Sequence, residues 1–218
     1  MKKMIRPIQF FAAMFLLGCG FTFTSCDNDD ENVPVMPDEV TTEAMYGDYT
    51  GKMHVLTVSP KESGDNEEEA KDTTVVDVSV SVKNDTIYFE DYPIKDIVLS
   101  IVKDEDAANK IVEAVGKVSY KIGYEPKLTS AKDSITCNLV PEPLKLSVTI
   151  PSSAEGEVQP LQIEVKVEAD NNATYAVENG NMKFDISATE VLLGEGEEQL
   201  PLENFKPISM IFNMNQKK

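Results

Sequence analysis

Tryptophan is absent from this chain, histidine occurs once and cysteine three times in 218 residues. A single imidazole excludes a histidine-rich metal centre and leaves His54 as the sole candidate for histidine acid–base chemistry. Without tryptophan, a sugar site loses its strongest stacking side chain. Basic residues are also scarce: 20 Lys and Arg stand against 38 Asp and Glu, for a net charge of −18. Such a surface excludes nucleic acid as a partner and offers no polybasic anchor to anionic lipid. It favours solubility and cationic partners, whose binding would weaken with salt. There is no P-loop, no G-x-G-x-x-G and no G-x-S-x-G elbow. With 41% hydrophobic and 27% charged residues, the chain is nevertheless a folding one.

The first 25 residues read as a leader outside the fold. Lys2, Lys3 and Arg6 precede an apolar run from Ile8 to Gly18. That run fits a signal-peptide core and is too short to cross a bilayer. The sequence Phe23-Thr24-Ser25-Cys26 follows. It resembles the lipobox of bacterial lipoproteins, with Phe23 where leucine is usual. The resemblance implies diacylglycerol on the Cys26 thiol, cleavage before Cys26, and acylation of the new amine with a palmitate-type chain. At about 0.8 kcal/mol per buried CH₂, two or three chains anchor stably without a transmembrane helix. Cys19 is the alternative lipidation site, but an apolar Gly20-Phe21-Thr22-Phe23 follows it instead of a polar tether. The acidic run Asp27 to Glu31 resembles the export signal of Bacteroides-group lipoproteins, which implies an outer-membrane, cell-surface location; a periplasm-facing anchor is the alternative. An EF-hand would need a glycine at its sixth position, and none is there. Residues 26–44 thus read as a flexible acidic tether, and Cys137 is left without a disulfide partner.

From residue 45 onward the dominant period is two. Val76, Val78, Val80 and Val82 alternate with Asp77, Ser79 and Ser81, the pattern of a half-buried strand. Asn84-Asp85 turns that strand into Ile87-Tyr88-Phe89, and Asn179-Gly180 marks a second hairpin. Similar alternation runs through Tyr49–Val55, Val118–Tyr124, Ile135–Leu139, Leu144–Ile150, Leu161–Val167, Met182–Ile186 and Ile208–Met214. Two stretches instead follow the helical template: Ile94, Ile97, Val98 and Ile101, then Ala108, Ile111, Val112 and Val115. Asp104 is placed to cap the second helix and Gly116 to end it. The acidic segment Glu62 to Glu69 is expected as a long hairpin loop, and Gly194 to Glu198 as a loop before the last strand. The predicted fold is mainly β: an antiparallel sandwich or a partly open calycin-like barrel of about nine strands with one or two short helices. Residues 45–218 are expected as one domain, with two small β-domains split near 125–133 as the alternative.

The segment Tyr46-Gly-Asp-Tyr-Thr-Gly-Lys-Met, the alternating valine strand, Asn84-Asp-Thr-Ile-Tyr-Phe and Tyr92-Pro-Ile together resemble uncharacterised Bacteroides-group lipoproteins with a calycin-like or lipocalin-like start. In those, a Tyr-x-Gly strand opens a β-meander. The resemblance covers Tyr46 to Val98 and implies no established chemistry, so no catalytic residue is carried over.

Candidate chemistry is sparse. His54 shares a strand face with Lys52 and is expected to face solvent. Cys137, between Ile135 and Leu139, is expected as a buried inert thiol. Zinc lacks its Cys/His cluster. Carboxylate pairs suited to a glycosidase are too easily found among 38 acids to carry an assignment. Among the tyrosines, Tyr88 and Tyr92 are the expected exposed ligand-binding candidates, because Ile87 and Phe89 take the opposite face. The chain therefore reads as a non-enzymatic, surface-tethered binding module with no cofactor and no metal. Its expected partner is a glycan, a small apolar ligand or another envelope protein. A structural or assembly lipoprotein is the alternative, and a hydrolase the least favoured reading.

Overall fold

The computed structural model describes residues 39–58, 71–151 and 158–218. The leader, Cys26 and the acidic loop Glu62 to Glu69 lie outside the described residues. Eleven strands follow in chain order: β1 (Gly47–Val58), β2 (Lys71–Lys83), β3 (Thr86–Phe89), β4 (Tyr120–Leu128), β5 (Ser134–Pro141), β6 (Leu144–Pro151), β7 (Val158–Ala169), β8 (Ala173–Ala176), β9 (Asn181–Leu193), β10 (Leu200–Pro201) and β11 (Ile208–Gln216). Helices α1 (Lys95–Val102) and α2 (Glu105–Val115) stand between β3 and β4. All pairings are antiparallel, and the order β1-β2-β3-β4-β5-β8-β9-β11 returns to β1. The sheet is thus a closed barrel of eight strands, not a sandwich and not partly open. The β6–β7 hairpin continues from the second half of β9, and two-residue β10 pairs with that same half. Segment 125–133, the alternative domain division, is the end of β4 and its turn into β5 within one continuous sheet.

The valine alternation in β2 places Val78, Val80 and Val82 inside. Asn84 and Asp85 both take positive φ, 49° and 52°, the type I′ geometry whose twist matches a two-residue hairpin. In the helical insert, Asp104 caps α2 by accepting the Ala107 N–H at 2.7 Å, with Glu105 and Asp106 in the first turn, where the helix dipole favours acids. Gly116 ends α2 with its N–H on the Val112 carbonyl. The helices bury Ile97, Val98 and Ala108 in the same core as the barrel.

That core fills the barrel. Phe184 and Phe212 stack at 4.4 Å, and Phe89 meets Phe212, Tyr92 and Tyr120 at 5.6, 5.1 and 6.2 Å. An eight-stranded barrel has an interior just wide enough for side chains to occupy it. The end opposite the helices is plugged by a single 3-10 turn, Thr42–Met45, whose Met45 is fully buried. Tyr49 Oη donates to the Met45 carbonyl at 2.6 Å, and Gln216 Nε2 donates to the Tyr46 carbonyl at 2.8 Å. Residues 42–44, expected as the end of the tether, therefore belong to the fold.

Two positions test this packing. Gly51 lies between β2 and β11, and a Cβ there would stand 2.1 Å from the Asn213 carbonyl oxygen and 2.7 Å from Met214 Cα. Both obstacles are backbone, so Gly51→Ala is expected to cost on the order of 3 kcal/mol or to prevent folding, measured by urea unfolding. Conversely, the Tyr124 hydroxyl is buried with no partner among the described residues. Tyr124→Phe removes an unsatisfied polar atom. In the same assay it should leave stability unchanged or raise it by up to about 1 kcal/mol.

Candidate functional site

The outer wall of β2, β3 and β4 sets Ser81, Tyr88 and Lys121 side by side in register. Ile87 and Phe89 point inward and are buried, so the pleat turns Tyr88 out. Beside this wall β5 ends at Pro141, and the chain turns through Glu142 and Pro143 into β6. Tyr120 pins that turn by donating its hydroxyl to the Glu142 carbonyl at 2.6 Å. The turn and the start of β6 form the second side of a cleft of about 840 Å³. Its floor is the buried trio Phe89, Tyr120 and Leu144.

Lysines dominate its rim. Lys83 holds its ammonium 5.2 Å from the centre of the Tyr88 ring, a cation–π distance. Lys121 pairs with Glu142 at 3.0 Å, and Lys145 with Glu164 at 3.5 Å. Both lysines are more than half exposed, so these pairs orient side chains more than they stabilise the fold. Glu90 completes the rim. Tyr88 also lines an adjoining concavity of about 470 Å³ that reaches Asp48, Asp91 and Lys117.

Of the residues singled out from sequence, Tyr88 is thus in a cleft, and Tyr92 is not. Tyr92 is buried in the core, its ring against Phe89 and Tyr120 and its hydroxyl donating to Met210 Sδ at 2.9 Å. The strand ends at Phe89, and the bend that follows rotates Tyr92 inward, with its N–H on the Val118 carbonyl. Burial pushes its phenol well above the ordinary range. His54 is half-buried on the outer wall, in register with Val75 and Ile211. Cys137 is buried against Met45, Sγ to Sδ 3.4 Å. Burial, and then the charge of Asp85, push its thiol up to about 12. Among the described residues no group of three or more His, Cys, Asp or Glu is placed to hold a metal ion.

Lys83, Lys121 and Lys145 were not legible as a group. Each occupies an outward strand position, like many solvated lysines; pairing of β2, β3 and β4 sets Lys83 near Lys121, and the turn from β5 into β6 brings Lys145 to them.

These features define a closed antiparallel barrel of eight strands, with side chains packed in its interior and concavities on its outer wall. The chain belongs to the family described as Domain of unknown function (DUF4840), which matches residues 44–193. No curated protein and no solved structure matches it.

The buried thiol gives a direct check on the core. At pH 8, Cys137 should resist an alkylating reagent in the folded protein and react fully in urea, read from the mass of the Cys137 peptide. Labelling of that peptide in the native state at a rate comparable to the unfolded one would show that the Met45 plug opens.

Proposed function

We propose that this chain is a cell-envelope lipoprotein whose barrel serves as a binding module, held to the outer membrane through acylated Cys26 and meeting its partner at the cleft beside Tyr88. The observation that carries this reading is the cleft: an aromatic wall, an apolar floor and a polar rim of about 840 Å³, within the size range of small-ligand sites. Packing of the barrel interior supports an outer-wall site over an internal ligand cup. The lipobox-like Phe23 to Cys26 supports the anchor.

Two measurements test the two halves separately. Cys26→Ala should move the protein from the membrane to the soluble fraction and abolish incorporation of labelled palmitate. Unchanged fractionation and labelling would remove Cys26 as the lipidation site. For the cleft, amine-reactive labelling on intact cells should spare Lys83, Lys121 and Lys145 relative to the purified protein, while exposed Lys110 on α2 labels equally in both. Equal labelling of the cleft lysines in both settings would defeat the proposed binding surface.

A further inference from the structure

The charges around the cleft are not equivalent. Lys121 and Lys145 already have carboxylate partners. Lys83 has none within ion-pair distance among the described residues; its ammonium rests instead over the Tyr88 ring. A ligand carboxylate arriving at Lys83 would gain a counter-charge without breaking an existing pair. Glu90 and Glu142 limit how much negative charge the rim accepts, and they supply acceptors for ligand hydroxyls, as Ser81 and Ser119 supply donors. The half-buried Tyr88 offers a ring against which an apolar face of a sugar can lie. A protein partner would instead need a hydrophobic anchor. The exposed large hydrophobics Val75, Val140, Leu200 and Ile211 do not line this cleft.

We infer that the cleft takes a short saccharide carrying a carboxylate, with the acid on Lys83 and a ring face against Tyr88. This rests on the cleft being the binding surface proposed above and adds the class of ligand.

The test uses the full chain and calorimetric titration with di- and trisaccharides of galacturonate, glucuronate and mannuronate, each beside its neutral counterpart. At least one acid series should bind, with its neutral counterpart about tenfold weaker or more. Lys83→Met should bring the acid down to the level of its neutral counterpart measured on the same variant. Tyr88→Ala should weaken both by about tenfold. Lys110→Met, on α2 and outside the cleft lining, should change neither. Equal affinity for acid and neutral sugars overturns the assignment of Lys83, and so does an unaffected Lys83→Met variant. Failure of every saccharide to bind, with the cleft lysines still protected on cells, overturns the saccharide and leaves the binding surface standing. Loss of that protection as well defeats both.

Discussion

The fold depends on β11 taking its place between β1 and β9. Until it does, both of those strands present a free edge of unpaired N–H and C=O groups, the feature that invites pairing with other chains. The junction joins the two ends of the domain: Gln216 donates to the carbonyls of Ala44 and Tyr46, 172 and 170 residues away in sequence. Contacts of that separation carry a large loop-closure cost, so they form only when enough apolar surface is buried in the same event. Phe212 supplies much of that surface, stacked on Phe184 of β9 and edge-on to Phe89 of β3. Gly51 is the geometric condition for it, since β11 passes where any side chain at that position would stand. The match to the family ends at residue 193, ahead of β10 and β11, so the closing strand lies beyond the matched segment.

Closure and filling together leave the outer wall as the place for a recognition site of the kind proposed. Inside the barrel, Tyr49, Phe89, Tyr92, Phe184 and Phe212 occupy the space that a ligand-carrying barrel would leave open. The 3-10 turn with Met45 covers one end, and the helices that link β3 to β4 bury Ile97, Val98 and Ala108 in the same core. A barrel so built is closed and packed with side chains. Its variable chemistry lies on the outer wall, where side chains of neighbouring strands meet in fixed register, and where the departure of β6 from that wall makes a recess.

Much of this was legible wherever a single period held along a strand. The valines of β2, the Asn84-Asp85 turn and the Asp104 cap each follow from local physics, and each stands where the pattern placed it. Reading failed where the period broke. Tyr92 follows the end of β3, and beyond a strand end alternation says nothing about facing; the chain bends and the ring goes into the core. In β9, the register shift opposite Lys166 and Val167 leaves Thr189 unpaired with β7, and Ile186, Ser187 and Ala188 are buried in succession. A bulge of this kind lets one long strand leave the barrel wall and support a hairpin outside it. The buried Ser187 is tolerated because its hydroxyl bonds both Asp170 and Ser209. Closure and the lysine group were beyond a one-dimensional reading for a common reason: both depend on segments distant in sequence meeting in space.

The net charge of −18 pointed toward cationic partners, whereas the cleft is rimmed by lysines, and the two are reconciled by distance. At physiological ionic strength, charges farther apart than about 8 Å are largely screened from one another. The overall field therefore governs approach and solubility, and the nearest few side chains govern what stays bound. At the cleft those are Lys83 over its ring and two lysines held by Glu142 and Glu164. On the proposed reading the acidic remainder would act as a filter, opposing long polyanions that cover much of the surface more than a ligand with one or two carboxylates. Three lysines and two glutamates line the cleft, and two of those lysines are already paired, so the ligand proposed for Lys83 is one of few charges.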